Sequence, residues 1–206
     1  MPLKTLLIFV KNLVPGETKT RLAKSIGNKK ALQVYQRLVE HTHDVTRTLP
    51  VNKEVWYSEK EEQKDIWDHG GFTKRVQKGD DLGYKMTDAF KTSFEKSASK
   101  VVIIGSDSAE IDAEIIEEAF EKLAENDVVV GPARDGGYYL LGMNKFHPQL
   151  FEGVEWSTDK VLHSTLETVE QLGLTYTKLK PLNDVDTIED WLEVKDQLLK
   201  RPIKDV

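Results

Sequence analysis

The sequence contains no cysteine, and the longest apolar run near its N-terminus is the five residues from Leu6 to Val10. Without cysteine the chain cannot form a disulfide framework, a thiol nucleophile, a Cys-ligated zinc site or an iron–sulfur cluster. A run of five residues is far shorter than the roughly 20 of a membrane span or the roughly 7 to 15 of a signal-peptide core. We therefore expect a soluble, cytoplasmic protein without a membrane partner.

No repeat, low-complexity tract or linker interrupts the chain, and 206 residues are enough to bury one substantial core. We therefore expect a single domain over residues 1–206. Alternating apolar patterns predict strands and helices in turn. Strands are predicted at 4–10, 52–57, 73–77, 101–105, 127–131, 137–143 and 174–179. Helices are predicted at 30–48, 59–68, 82–97, 112–125, 158–172 and 187–200.

This alternation predicts an α/β fold with three layers and a mostly parallel central sheet. Three of the strands are continuous apolar runs, which is typical of strands buried on both faces. Parallel neighbours need right-handed crossovers, and ligands of such sheets bind beyond the carboxyl ends of the strands. The loops that follow the strands are therefore where functional residues are expected.

The charge is unevenly distributed along the chain, which has 29 basic and 35 acidic side chains and a net charge of -6. Residues 1–30 carry seven basic side chains and one acidic one, whereas residues 101–206 carry ten basic and 22 acidic ones. A nucleic-acid-binding domain normally places a basic stripe on a neutral or basic whole. The pattern instead favours an anionic ligand held jointly by cations and a metal, and no nucleic-acid partner is expected.

The loop after the first predicted strand combines a turn with several cationic side chains. Pro15 and Gly16 form the turn, and a short helix then begins beside Lys19, Thr20 and Arg21. Backbone amides, a hydroxyl, an ammonium and a guanidinium together suit a polyphosphate. The loop is not a Walker P-loop, because the second glycine before the lysine is missing. An ordinary surface turn with solvated lysine and arginine is the alternative.

Two later strand ends carry residues suited to nucleotide and metal binding. Asp107 follows the apolar strand 101–105, and Mg²⁺ typically takes one or two carboxylates together with phosphate and water. Asp184 and Asp186 point the same way if their segment is extended, so that one of them could complete a metal site with Asp107. The alternatives are that Asp107 caps a turn and that Asp186 begins the last helix.

The remaining strand-end loops give weaker signals. Gln77 could pair with a base edge and Gly79 allows close backbone approach, although turn formation and capping by Asp81 also explain this segment. Gly136 and Gly137 let the backbone pass close to a ligand, while the two tyrosines that follow form either a packing wall or part of the core. The five histidines are isolated or on different helix faces, and we interpret them as structural.

The order of these segments is more specific than any one of them. The chain reads FVKNLVPGETKTRLA, QKGDDLGYKM, VVIIGSDS, GPARDGGYYLLG, WST and DVDTIEDW. From about residue 5 to residue 192 this order resembles the bacterial family of glycosyltransferase-A-fold nucleotide-diphospho-sugar transferases, which includes arsenosugar-biosynthesis-type glycosyltransferases. It is similar, more distantly, to phospholactate and molybdenum-cofactor guanylyltransferases. The chain departs from the family where Ser108 and Ala109 replace Cys-Pro and where Lys85 replaces arginine before Met86.

The resemblance implies a Rossmann-like nucleotide-diphospho-sugar transferase fold, the glycosyltransferase-A fold, and a set of site residues. Lys11, Lys19 and Arg21 would face the phosphates of the nucleotide, and Asp135 would orient or deprotonate the acceptor. Asp107 and Asp186 would hold Mg²⁺ or Mn²⁺. Contacts with the nucleotide are expected from Lys11, Pro15, Gly16, Thr20, Gln77, Gly79, Ser106, Gly136 and Gly137.

The resulting hypothesis is a metal-dependent transferase that binds a nucleotide or nucleotide-sugar donor and moves a glycosyl group to a small-molecule acceptor. The alternatives are a nucleotidyltransferase that releases pyrophosphate and a relative that binds nucleotide without turnover. The first loop has Gly16 alone, whereas triphosphates are usually wrapped by Gly-rich loops, and this favours a nucleotide-sugar slightly. The sequence leaves the oligomeric state open, homo-oligomers included.

Overall fold

A computed structural model describes residues 3–199 and contains one seven-stranded sheet. The strands are β1 Lys4–Val10, β2 Asn52–Tyr57, β3 Phe72–Val76, β4 Lys100–Gly105, β5 Val128–Pro132, β6 Tyr138–Met143 and β7 Tyr176–Lys178. Their order is β3-β2-β1-β4-β6-β5-β7. Every pairing is parallel except those of β6, which is antiparallel to β4 and β5. The mostly parallel sheet is confirmed.

Helices cover both faces of this sheet. They are α1 Thr20–Ile26, α2 Asn28–Thr46, α3 Leu82–Glu95, α4 Ala113–Lys122, α5 Val161–Gln171 and α6 Ile188–Leu199, with short 3-10 helices at Ile66–Asp68 and Pro148–Phe151. Along β1, Leu6 and Ile8 pack into a core with α1, α2, α4 and α6, whereas Leu7 packs into a second core with α3 and α5. Because side chains alternate along a strand, β1 contributes to both cores. The three-layer α/β/α sandwich is confirmed.

The helix predicted over residues 59–68 is wrong. A 3-10 turn at Ile66–Asp68 is the helical part of that segment. The rest of the segment is not helical, because residues outside it bind its polar groups. The Asn12 side-chain oxygen accepts the Glu59 N–H at 3.0 Å. The Asp65 carboxylate accepts the Tyr57 hydroxyl and forms an ion pair with Lys74 Nζ at 2.9 Å. The Glu59 N–H and the Asp65 carboxylate are thus engaged by residues outside the segment and not by a helix.

The strand order reverses between β1 and β4. From β1 the chain moves outward through β2 and β3, and it then returns to place β4 on the other side of β1. In open α/β sheets the crevice outside the carboxyl ends of two such strands is where ligands bind. The residues that follow β1 and β4, Lys11 and Ser106, therefore face each other at this crevice. Within residues 3–199 no helix combines the length and apolar character needed to cross a bilayer.

Candidate active site

A cavity of about 390 Å³ opens at this crevice. Its volume lies near the lower end of the range for small-molecule sites, roughly 300 to 1,000 Å³. Its lining combines apolar side chains with hydroxyl, amide, ammonium and carboxyl groups. The apolar lining residues include Phe9, Leu82, Met86, Ile103 and Tyr138, and the polar ones include Lys11, Tyr35, Gln77, Ser106, Asp107, Ser108, Ser157 and Asp184.

Four of the predicted site residues meet in one ion-pair cluster beside the cavity. Lys19 Nζ lies 2.7 Å from Asp107 Oδ1 and 3.1 Å from Asp186 Oδ1. Arg21 extends from the first turn of α1 and places its terminal nitrogen 2.5 Å from Asp186 Oδ2. The Lys19 side chain is only 4% exposed, whereas that of Arg21 is 65% exposed. The structure thus joins the loop after β1, the loop after β4 and the segment before α6 through opposite charges.

The charges of this cluster support one another. Burial favours the neutral form of Lys19, but the charges of Asp107 and Asp186 outweigh it and raise the pKa of the ammonium above its usual value. Burial likewise works against ionisation of Asp107, and the adjacent Lys19 nevertheless holds the pKa of that carboxyl below its usual range. Both partners are therefore ionised at neutral pH.

Asp184 is a cavity residue that was not among the predicted site residues. Burial and the negative charge of Asp107 raise its pKa to about 7. It lines the cavity, whereas Asp186, two residues later, turns toward Lys19 and Arg21. The alternation of Asp184 and Asp186 in the sequence indicates that both could reach the site, but the resemblance assigns a role to Asp186 alone.

Tyr35 is a second residue that sequence reasoning missed. Its hydroxyl accepts the Lys11 backbone N–H at 2.7 Å and makes a 2.8 Å hydrogen bond with Ser106 Oγ. It extends from α2, is fully buried and lines the cavity, and burial raises the pKa of its phenol well above the usual value. Tyr35 thus ties the two loops at the switch point together. No sequence signal distinguishes such a tyrosine from the other buried residues of this helix.

The segment after β3, where base contacts are predicted, makes structural contacts with neighbouring strands and with α3. The Gln77 side-chain amide donates to the carbonyls of Trp56 at 2.8 Å and Val10 at 3.3 Å, so that it ties β1 and β2 together while lining the cavity. Gly79 has φ 129°, and a Cβ there would lie 2.5 Å from Tyr84 Cβ. Asp81 caps α3 by accepting the Tyr84 N–H at 2.9 Å, as predicted. Contact of Gln77 and Gly79 with a base stays a prediction.

The other predicted residues lie in turns near the site. Pro15 and Gly16 lie in a turn in which the Glu17 N–H donates to the Val14 carbonyl, and Gly16 has φ 88°. Thr20 is exposed at the start of α1. Asp135 Oδ1 accepts the Gly137 N–H at 3.0 Å, which closes its own turn.

The Asp135 turn packs against a neighbouring loop and keeps its charge near the cavity. A Cβ at Gly136 would lie 2.2 Å from the Asp159 carbonyl oxygen. Asp135 does not line the cavity, but its charge contributes to the raised pKa of Asp184.

The donor set fits a Mg²⁺-type ion that is shared with a ligand. Among residues 3–199 no group of three or more His, Asp or Glu side chains is arranged to hold a metal by itself. The Oδ1 atoms of Asp107 and Asp186 both contact one nitrogen atom, however, and so converge on a single cation position. Two carboxylates completed by phosphate oxygens and water are a common set for Mg²⁺.

Comparison with known proteins identifies the family. Residues 41–158 match the model described as uncharacterized protein conserved in bacteria (DUF2064). The chain belongs to this family. No curated protein matches the sequence.

Solved structures share the fold of this DUF2064 protein. A provisionally assigned nucleotide-diphospho-sugar transferase from Desulfovibrio desulfuricans G20 is 33% identical, with a TM-score of 0.88 over 95% of this chain and 87% of that one. A cytidylyltransferase from Leptospira borgpetersenii is 14% identical, with a TM-score of 0.62 over 98% and 89%. A 4-diphosphocytidyl-2C-methyl-D-erythritol synthase from Anaerococcus prevotii is 12% identical, with a TM-score of 0.61 over 97% of both chains. The predicted nucleotide-diphospho-sugar transferase fold and family resemblance are confirmed.

Proposed function

We propose that this protein is a transferase that binds a nucleotide or nucleotide-sugar together with Mg²⁺ or Mn²⁺ and transfers a glycosyl group to a small acceptor. The observation that carries the proposal is the cluster of Lys19, Arg21, Asp107 and Asp186 beside the cavity at the switch point. Two cations for phosphate oxygens and two carboxylates converging on one cation position are the groups that a metal–nucleotide complex requires.

The chemical difficulty of such a reaction is the negative charge that builds on the departing phosphate. Lys19, which is buried, and Arg21, which is exposed, would bind that charge, and the buried Lys19 ammonium would stabilise it more strongly than a cation in water. A bound divalent ion, held by Asp107 and Asp186, would supply further charge stabilisation. Tyr35 hydrogen-bonds both the loop after β1 and the loop after β4, and it so helps to fix the distance between the proposed phosphate-binding residues and the carboxylates.

Two carboxyl groups are candidates for orienting or deprotonating the acceptor. Asp135 was assigned this role from the resemblance, and its carboxylate closes its own turn at the edge of the site. Asp184 lines the cavity, where burial and the negative charge of Asp107 raise its pKa and so make its carboxylate a stronger base. Comparison of turnover by Asp135→Asn and Asp184→Asn separates them, since loss of the acceptor base lowers kcat by roughly 10²-fold or more.

The relatives support a transferase and leave two reactions to compare. The relative from Desulfovibrio desulfuricans is provisionally assigned to nucleotide-diphospho-sugar transfer. Neighbours of the same fold include a cytidylyltransferase and a CMP:2-keto-3-deoxy-manno-octonic acid synthetase that was solved with CTP. Glycosyl transfer consumes a nucleotide-sugar, whereas nucleotidyl transfer consumes a nucleoside triphosphate and releases pyrophosphate. Pyrophosphate release from a triphosphate, without consumption of any nucleotide-sugar, would replace our proposal by the second reaction.

A binding screen tests the assignment of the site. Wild-type protein, Asp107→Asn and Asp186→Asn are compared by thermal shift with a panel of nucleotides and nucleotide-sugars, with and without Mg²⁺ or Mn²⁺. A ligand that binds the native state raises Tm in proportion to its occupancy, so wild-type Tm should rise with the correct ligand and metal. Both variants should lose most of this rise.

Asp80→Asn, which removes an exposed carboxylate from the loop before α3, is the matched control and should keep the shift. Ligand binding that is insensitive to chelators and to both substitutions, without turnover, would indicate a nucleotide-binding protein without catalysis.

The cytoplasmic location inferred from composition stays a prediction.

A further inference from the structure

The ammonium group of Lys19 lies at the position on which the two carboxylates converge. Its nitrogen is 2.7 Å from Asp107 Oδ1 and 3.1 Å from Asp186 Oδ1. These are the carboxylates proposed to bind the metal. A lysine assigned only to phosphate binding would be expected to extend toward the ligand, whereas this one is directed at the acids.

The backbone and the surroundings hold Lys19 in this position. The residue has φ 51° and ψ 47°, the left-handed conformation that non-glycine residues rarely adopt, immediately before α1. Its carbonyl accepts the Ala23 N–H at 2.8 Å, which starts the helix. Its side chain is 4% exposed, and within the described residues its ion pairs are with these two carboxylates. A strained backbone at a functional site is retained only where the surrounding structure determines it.

An ion and the ammonium cannot both use these oxygens. Mg²⁺ binds oxygen at about 2.0 to 2.1 Å, so an ion on Asp107 Oδ1 and Asp186 Oδ1 would stand within the space that the ammonium fills. If the ion displaced Lys19 without any other ligand present, it would leave a buried cation without its partners, which is strongly unfavourable. A phosphate group bound beside the loop offers the ammonium a replacement partner of the same charge as the carboxylates.

We propose that Lys19 is the resident cation of the ligand-free site and that a divalent ion enters only together with the nucleotide phosphates, which draw the ammonium away from Asp107 and Asp186. This inference rests on the proposed function, because it uses the same two carboxylates as metal ligands. It gives the site an order of binding. Metal alone is excluded by Lys19, and metal with nucleotide is accepted.

The test measures binding of Mn²⁺ alone, without any nucleotide. Wild type, Lys19→Met and Lys24→Met are titrated by calorimetry and by the electron paramagnetic resonance signal of free Mn²⁺. Lys24→Met is the matched control, because Lys24 is an exposed lysine on the same helix. We expect Lys19→Met to bind Mn²⁺ at least about tenfold more tightly than the other two, since the competing cation is gone. Its Tm should also rise more with Mn²⁺.

A second comparison distinguishes two effects of the Lys19 substitution: it empties the cation position between Asp107 and Asp186, and it removes one positive charge. Arg21→Met removes a cation that contacts Asp186 but leaves the ammonium in place, so its gain in Mn²⁺ affinity should be much smaller than that of Lys19→Met. If circular dichroism shows that Lys19→Met does not fold, Lys19→Gln takes its place. Wild type is then also titrated with Mn²⁺ in the presence and in the absence of the best nucleotide of the panel. Folded wild type that binds Mn²⁺ alone as tightly as with nucleotide overturns the inference.

Equal Mn²⁺ affinity of wild type and the Lys19 variant also overturns it, whatever the nucleotide screen shows. Failure of the nucleotide screen with a tenfold gain at Lys19 would instead reject the proposed transferase and keep Lys19 as the occupant of the cation position. The two failures are therefore distinguishable.

Discussion

Asp184 shows how one residue in this site is shaped by its neighbours. It lies at the cavity with Asp107 and Asp186 nearby, and burial together with the charge of Asp107 raises its pKa to about 7. A carboxyl group whose pKa is raised by folding binds its proton more tightly in the native state than in the unfolded one. Its contribution to stability is therefore present at low pH and is lost as the pH rises toward 7.

We predict that Asp184→Asn removes this pH dependence. The variant and wild type should have similar free energies of unfolding near pH 4, and the variant should become more stable as the pH rises to 8, by on the order of 4 kcal/mol. Urea denaturation at several pH values measures the difference. Asp80→Asn controls for the loss of one exposed acidic group. A variant that is less stable than wild type at pH 8 would show that Asp184 is stabilised as a carboxylate.

Gly131 is a single residue whose missing side chain decides local packing. A Cβ there would lie 2.4 Å from Tyr139 Cζ, and the ring of Tyr139 is held by its hydroxyl, which donates to the Lys180 carbonyl at 3.1 Å. We predict that Gly131→Ala lowers the free energy of unfolding by about 1 to 3 kcal/mol, the usual cost of overpacking. Gly105→Ala, where the nearest atom lies 4.0 Å away, should change it by less in the same measurement.

At the scale of secondary-structure elements, the start of α6 organises the late carboxylates. The Asp190 carboxylate accepts the backbone N–H groups of Asp186 at 3.0 Å and Thr187 at 2.7 Å, and the Thr187 hydroxyl accepts the Asp190 N–H at 3.3 Å. This reciprocal pair is a capping box formed by Thr187 and Asp190. It fixes the backbone from which Asp186 reaches Lys19.

We predict that Asp190→Ala destabilises the protein by about 1 to 2 kcal/mol and also weakens metal-dependent ligand binding, because the Asp186 N–H loses its acceptor. Chemical denaturation and the thermal-shift screen measure the two effects. Glu189→Ala is the matched control, since Glu189 is exposed and adjacent. Stability loss with unchanged ligand affinity would mean that the cap does not position Asp186.

Elements whose signals are local were predictable from the sequence, and those set by distant partners were not. The buried strand at Lys100–Gly105 and the capped helix at Ala113–Lys122 agree with their patterns to within a few residues. The segment 59–68 failed because Asn12, Tyr57 and Lys74 compete for its polar groups from outside. Tyr35 was missed for the same reason, since both partners of its hydroxyl are remote in sequence.

At the scale of the whole molecule, the strand order places the predicted residues in one crevice. Reversal of the order between β1 and β4 brings the loop with Lys19 and the loop with Asp107 to the same edge of the sheet. The sequence alone predicted that both follow strands. It did not predict that Lys19 would bridge Asp107 and Asp186, because that contact depends on side-chain positions from three distant segments.

The central claim is that this crevice binds a nucleotide or nucleotide-sugar with a divalent ion through Asp107 and Asp186. The most direct measurement is calorimetric titration of wild type and Asp107→Asn with the best ligand of the thermal-shift panel, in Mg²⁺ and in excess chelator. The account predicts binding by wild type in Mg²⁺ and at least about tenfold weaker binding after either chelation or substitution. Equal affinity under all of these conditions would contradict it.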